Sequence, residues 1–329
     1  MALPPLVLDP YLRPQIWGGR RLESVLGKTL PDDGSYGESW EVSAHRHSVS
    51  RVADGPFEGM LLTDLCAERA AELYGTNRPE NDEFPLLIKF LDAQKLLSVQ
   101  VHPDDETAAR LLGNERGKTE SWVVLDVQPE GRIYAGLKEG VTRDDLQRHL
   151  EAGTTDECLY SFQPKVGDCL LLEAGTVHTV GGGVMIAEVQ QSSDATFRLF
   201  DWNRLGTDGV PRQLHIEESL ESIDWNRGPL HPLEPTEIAG FPDGVQGQGL
   251  SRSPFFAMDR YRFSAPLRNP YENKLSIWMI LDGFVELESP TERRGFPKGT
   301  TVLLPASASE ATWHPNSGEV TILGVTLSP

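Results

Sequence analysis

From Gly167 to Trp202 the chain alternates short β-type runs with glycine turns. Asp168–Leu172, Val177–Val180, Val184–Gln190 and Thr196–Trp202 each read as a strand. Strands so short and so close in sequence pair through hairpins, so the spacing predicts an antiparallel sandwich or barrel. The 31 glycines and 24 prolines spread through 329 residues supply the turns such a fold needs. A later stretch, Lys298-Gly299-Thr300-Thr301-Val302-Leu303-Leu304-Pro305-Ala306, echoes Val166-Gly167-Asp168-Cys169-Leu170-Leu171-Leu172-Glu173-Ala174. The echo predicts two copies of one jelly-roll module.

The remaining pattern fits that plan. Residues 1–60 read as short strands and turns. Residues 61–76 read as an amphipathic helix with Thr63 as its cap. Phe84–Leu91 is an apolar run suited to a buried strand. Pro103-Asp104-Asp105-Glu106 predicts a short helix that ends near Gly113, with proline in its first turn. Thr142–Leu150 predicts another, capped by Thr142 with Asp145 three residues on. Residues 225–255, rich in proline, glycine and acids, read as a linker. The expected division is an N-terminal catalytic domain over 1–232 and a C-terminal β domain with linker over 233–329.

Charge and cysteine content narrow the partners. A net charge of −19 argues against nucleic acid, whose phosphates need clustered Lys and Arg. Three cysteines without CxxC spacing predict free thiols in a reducing compartment. The first residues lack the basic and apolar regions of a signal peptide, and no apolar run approaches the ~18 residues of a membrane span. A cytoplasmic, monomeric protein that binds a small molecule is the expectation.

Three segments carry the chemistry. In Leu97-Ser98-Val99-Gln100-Val101-His102-Pro103 the apolar residues share one strand face, and Ser98, Gln100 and His102 share the other. Lys118-Thr119-Glu120-Ser121-Trp122 and Ala174-Gly175-Thr176-Val177-His178 add a carboxylate and a second imidazole. Gln100, His102, Glu120 and His178 together make a first shell for a zinc-like divalent metal, with a position left for water or a substrate oxygen. The same histidines also read as ordinary hydrogen-bonded turn residues. His314 in the second copy lacks a Gln-x-His partner strand and reads as structural. Arg198 interrupts the apolar run Ala195–Trp202, so it is either paired with an acid or clamps an anion.

The ordered motifs resemble those of the type I phosphomannose isomerases in their short bacterial form. They are Gln15-Ile16-Trp17-Gly18-Gly19, Gly37-Glu38-Ser39-Trp40-Glu41-Val42-Ser43, the Leu97–Pro103 strand, Gly117-Lys118-Thr119-Glu120-Ser121-Trp122 and Ala174–His178. Glu188-Val189-Gln190-Gln191-Ser192-Ser193-Asp194-Ala195-Thr196-Phe197-Arg198-Leu199-Phe200-Asp201-Trp202 completes the set, and the resemblance spans residues 10 to 220. It implies a mainly β fold of two cupin (jelly-roll) barrels, with short helical segments inserted in the N-terminal catalytic part. It also implies one zinc ion per chain and reversible conversion of mannose 6-phosphate to fructose 6-phosphate. Carried over by motif, the metal ligands are Gln100, His102, Glu120 and His178, and the active-site arginine is Arg198. Ser98 and Lys118 match positions of substrate or phosphate contact. Two departures are Asp105-Glu106, where a lysine often follows His-Pro-Asp, and Phe197, where tyrosine often precedes the arginine.

Isomerisation of an aldose to a ketose moves a proton between C2 and C1 through a cis-enediol(ate). It needs a base that reaches both carbons and stabilisation of the negative charge on oxygen. Glu188 is the candidate base on charge type and position, with metal-bound hydroxide the alternative. Two other readings stay open: a cupin metalloenzyme acting on a different sugar phosphate, and a non-catalytic sugar-binding cupin.

Overall fold

A computed structural model describes residues 3–113, 115–205, 209–316 and 318–328. Six strands of the N-terminal half run side by side and antiparallel, in the order Cys169–Leu172, Glu120–Val127, Val184–Gln191, Leu86–Ala93, Tyr36–His45, Tyr11–Gly19. A smaller sheet, Phe197–Phe200, Val99–Val101, His178–Val180, Ile133–Leu137, Leu159–Phe162, packs against it. Trp17, Leu91, Trp122 and Val124 of the first sheet share one apolar cluster with Leu97, Ile133, Ala135 and Val180 on the side of the second.

The C-terminal half repeats the large-sheet order strand for strand, and its small sheet repeats the first without a counterpart of Phe197–Phe200. Thr301–Leu304, Ser276–Asp282, Val320–Leu327, Phe256–Phe263, Val245–Arg252, Thr236–Ile238 form its large sheet, and Leu267–Arg268, Thr312–Pro315, Phe284–Glu288, Arg293–Pro297 its small one. The two echoing segments occupy equivalent strands, each entered by a glycine at positive φ: Gly167 at 92° and Gly299 at 82°. A Cβ on Gly299 would meet the carbonyl oxygen of Leu26 at 2.1 Å, so both conformation and space demand glycine there. The mainly β, double jelly-roll architecture is the one expected.

The two large sheets join through their outer faces. Ile88, Phe90, Val123 and Val189 on one side meet Ile277, Met279, Leu323 and Val325 on the other, with helix Leu62–Tyr74 closing the same cluster. Period-two alternation leaves Lys89, Leu91, Glu120, Trp122 and Glu188 on the inner face of the N-terminal barrel. The central large-sheet strands, such as Leu86–Ala93 and Val184–Gln191, are thus buried on both faces, which explains their nearly unbroken apolar runs. Leu6–Val7 adds to the C-terminal sheet beside Thr301–Leu304, so the chain's first strand crosses to the second barrel.

Three local expectations change. The helix expected over 61–76 spans Leu62–Tyr74, and Thr63 does not cap it: Leu61 holds that position and offers no side-chain acceptor. Pro103 lies before the next helix (Asp105–Leu112), whose cap is Asp104, accepting from the Thr107 amide at 2.8 Å. Residues 225–255 are not all linker. Thr236–Ile238 and Val245–Arg252 are strands of the C-terminal sheet, and their Gly-rich sequence, Gln246-Gly247-Gln248-Gly249, hides the alternation from a composition-based reading. The cap of helix Arg143–Ala152 is as expected, a reciprocal box between Thr142 and Asp145. No helix among the described residues is long and apolar enough to cross a membrane.

In the second barrel other side chains, mostly aromatic, occupy the corresponding interior. Across the sheet Glu120 faces Gln190, and the matching pair is Ser276 and Thr326. Where the first barrel has Glu188 beside Trp122, the second has Gly324 beside Trp278, and a Cβ on Gly324 would meet the Tyr271 ring at 2.8 Å. Trp278, Trp313 and Phe296 fill the interior. His314 Nε2 lies 3.0 Å from Glu288 Oε2.

Candidate metal centre and active site

His102 closes the strand Val99–Val101, and Pro103 keeps it from continuing. His178 opens its own strand and pairs with Gln100 across the sheet, while Arg198 pairs with Gln100 from the other side. Glu120 opens the strand behind them. One ligand atom from each of His102, Glu120 and His178 lies within 4.8 Å of the others, and all three residues are buried. His102 Nε2 is 3.4 Å from Glu120 Oε2, and His178 Nε2 is 3.2 Å from Glu120 Oε1.

The protonation of the two imidazoles follows from their outer partners. His102 Nδ1 lies 2.9 Å from the Ala195 carbonyl and His178 Nδ1 lies 2.9 Å from the Thr176 carbonyl. A carbonyl only accepts, so each Nδ1 donates to it and each Nε2 is the nitrogen turned toward Glu120. That outer-shell arrangement suits a metal-binding histidine. Burial, then the Lys118 ammonium, pushes the His102 imidazole down to about 3 and keeps it neutral. Burial opposes the charge on Glu120, but the Lys118 ammonium beside it outweighs burial and holds the carboxyl well below its usual range. Two imidazoles and a carboxylate, with the Gln100 amide lining the same space, fit a divalent ion such as zinc.

Gln100, His102, Glu120, His178, Ser98, Lys118, Glu188 and Arg198 all line one cavity of about 310 Å³. Lys118 Nζ is 2.6 Å from Glu120 Oε2 and 3.0 Å from His102 Nε2. Glu188 Oε1 is 3.0 Å from Lys89 Nζ and 3.7 Å from Lys118 Nζ. Burial, then the negative charge of Glu120, pushes the Glu188 carboxyl up to about 7 against the pull of the two ammonium groups. Arg198 makes no salt bridge among the described residues; its Nη1 donates to the Gln213 carbonyl at 2.8 Å.

A larger cavity of about 550 Å³, lined by His45, Thr63, Cys66 and Glu115 among others, lies elsewhere on the barrel. Its charged groups pair across the rim, Arg46 with Glu115 and Arg116 with Glu83. It offers no converging donor set comparable to that around Glu120.

The sequence profile of the phosphomannose isomerase type I catalytic domain matches residues 6–120. The mannose-6-phosphate isomerase of Streptococcus mutans is 35% identical over 301 residues, 92% of this chain and 92% of that one. The chain belongs to the type I phosphomannose isomerase family. Mannose-6-phosphate isomerase ManA of Bacillus subtilis is 33% identical over 94% of this chain and 96% of its own. A crystal structure of the mannose 6-phosphate isomerase from Bacillus subtilis covers 98% of this chain and 99% of that one, with a TM-score of 0.89 at 28% identity. As a member of this family the chain is an aldose–ketose isomerase.

Several cavity residues of this phosphomannose isomerase fold escape a motif-based reading. Lys89 is buried at the centre of Leu86–Ala93 and bridges Glu188 to Glu38, 3.8 Å away on its other side. A single cation inside an apolar strand is the signal that singles out Arg198, and it applies equally to Lys89. Burial disfavours its charge, but Glu188, Glu38 and Glu120 outweigh that and raise its pKa. Glu38, in turn, accepts from Trp40 Nε1 at 2.7 Å and from Gln15 Nε2 at 3.0 Å, which joins two of the N-terminal motifs. Asp105, one of the departures from the family pattern, accepts from the Gly117 amide at 2.7 Å and from Gln191 Nε2 at 3.1 Å. It tethers the segment that delivers Lys118 and Glu120.

Proposed function

We propose that the chain interconverts mannose 6-phosphate and fructose 6-phosphate through a cis-enediol(ate), with one zinc ion held by Gln100, His102, Glu120 and His178. The observation that carries this reading is the convergence of the His102–Glu120–His178 donor set with Glu188 and Arg198 in one cavity of a family member. Bound there, zinc supplies Lewis acidity toward the sugar oxygens.

Glu188 is the base. It lines the cavity as a buried carboxylate and faces the ammonium groups of Lys89 and Lys118. It takes the proton from C2 of the aldose and returns it to C1, while the proton of the C2 hydroxyl passes to the C1 oxygen, to give the ketose. A carboxylate whose proton affinity lies near neutrality suits both halves of that transfer. Lys118 and Ser98 contact the substrate, with the Lys118 ammonium near the oxygens on which negative charge develops. Arg198 stabilises that charge and helps hold the substrate.

Conversion run in deuterium oxide tests the proton transfer. Deuterium is expected at C1 of the fructose 6-phosphate formed and at C2 of mannose 6-phosphate recovered during turnover, read by nuclear magnetic resonance. Protium retained at both carbons would point to a hydride shift and remove the need for Glu188 as base.

A further inference from the structure

Strand Phe256–Phe263 divides its side chains between two environments. Tyr261 and Phe263 belong to the interior of the second barrel, and Phe256 and Met258 to the core between the two large sheets. Arg260 and Arg262 continue the row of Phe256 and Met258, so a stripe that begins as core ends in two guanidinium groups. At that end the sheets part and leave a groove of about 250 Å³. Val123 and Leu125 wall it on the first barrel, and Leu281 and Thr321 on the second. Lys298 and Asp282 also line it, as an exposed pair 3.5 Å apart.

The two arginines are not neutralised. Arg260 is only 6% exposed, yet its guanidinium meets neutral acceptors alone. Nε and Nη2 donate to Gln248 Oε1 at 3.0 and 2.8 Å, and Nη1 donates to the Gly167 carbonyl at 2.9 Å. Arg262 is exposed and makes no hydrogen bond or salt bridge among the described residues; Arg260 makes no salt bridge among them. Burial, then the charge of Arg262, holds the Arg260 guanidinium below its usual range. A buried charge without an opposite charge is costly, and a like charge beside it adds to the cost. Acids are plentiful in this chain, 49 Asp and Glu against 30 Lys and Arg, but the groove has three cations and one carboxylate.

We infer that the groove between the barrels binds a small organic phosphate, with its dianionic head between Arg260 and Arg262 and a short apolar arm against Val123, Leu125 and Leu281. A phosphate monoester carries about −1.5 to −2 at neutral pH and presents three acceptor oxygens, which matches two uncompensated guanidinium groups in sign and size. Guanidinium donors suit those oxygens. The aliphatic walls favour a ligand that also buries carbon, which an inorganic ion does not do. The volume admits an arm the size of one ring and is too small for a nucleotide or a peptide. Val123 and Leu125 are on the outer face of the strand Glu120–Val127, whose Glu120 and Trp122 line the substrate cavity, so the sheet itself separates the two sites. Binding in the groove is independent of which sugar the cavity takes.

The test titrates phenyl phosphate into the zinc-loaded enzyme by calorimetry, with saturating fructose 6-phosphate present to fill the substrate cavity. One binding event per chain is expected. Methyl phosphate, which has the head without the ring, should bind about tenfold more weakly, and equal affinity for the two would overturn the apolar arm. Arg262→Ala should weaken phenyl phosphate about tenfold and flatten its salt dependence. Val166→Asp places a negative charge beside the groove, at a residue 67% exposed, and should weaken binding too; it carries the test if Arg262→Ala does not fold. Both variants should keep the parental melting temperature and convert mannose 6-phosphate at the parental rate. No binding of phenyl phosphate, or affinity within about twofold of the parent in a folded Arg262→Ala protein, would overturn the inference. Failure of the isomerase reading is seen separately, as absent conversion of mannose 6-phosphate, while the loss of binding in Arg262→Ala still reports the groove.

Discussion

Substitution of His178 by Ala is expected to remove bound metal and turnover together. Among the described residues His178 supplies one of the two imidazole nitrogens that converge on Glu120, so its loss leaves Gln100, His102 and Glu120 as donors. Loss of an outer-shell partner alone costs a metal site about 10–100-fold in affinity, and loss of a ligand costs more. Zinc content measured after gel filtration should fall close to zero, and turnover should fall with it. The fold should survive. His178 opens a short strand whose neighbours Val177, Thr179 and Val180 remain buried, although the ring's contact with Trp122, at 5.4 Å between centroids, is lost. Circular dichroism distinguishes a folded, metal-free variant from an unfolded one. A folded, active and metal-replete His178→Ala protein would sink the ligand role.

Replacement of Glu188 by Gln should act differently: turnover falls while metal content stays full. Glutamine keeps the size and shape of the side chain and removes the ability to take a proton. General-base catalysis is worth about 10²–10⁴-fold, and a fall of that order is the expected result. The change also removes a carboxylate 3.0 Å from Lys89 and 3.7 Å from Lys118. Glu38 and Glu120 remain beside those lysines, at 3.8 and 2.6 Å, so neither ammonium is left without an anion. A thermal melt taken with the kinetics separates a damaged fold from a missing base. Near-parental turnover in the metal-replete variant would eliminate Glu188 as the base. The contrast between the two variants, one losing metal and activity and the other activity alone, is what distinguishes a ligand from a base.

Much of this was legible in the residue pattern because period-two alternation exposes it. Ser98, Gln100 and His102 are separated by apolar residues whose burial is essential, so the strand could sit only one way round. Glu120 and Trp122 follow the same rule one strand later. The duplication was visible because a strand entered by a positive-φ glycine needs a similar local sequence wherever it occurs, at Gly167 or at Gly299. Less legible was what depends on contacts distant in sequence. Glu38 and Lys89 lie on neighbouring strands but more than one turn of sequence apart, and nothing local to either residue announces the other. The pairing of Asp201 with both Arg204 and Arg212 was hidden for the same reason: Arg212 reaches back over a loop to a carboxylate that a local reading assigns to its nearer neighbour Arg204. The strand Val245–Arg252 was missed because its glycines and polar residues imitate a linker, while its pairing with Phe256–Phe263 is what fixes it in the sheet.

The most direct test of the central claim is fructose 6-phosphate formation from mannose 6-phosphate by the purified protein, measured as isolated, after chelation and after zinc is returned. The account predicts activity that is lost with the chelator and restored by zinc. Full activity in the metal-stripped protein, or none in the zinc-loaded protein, would contradict it.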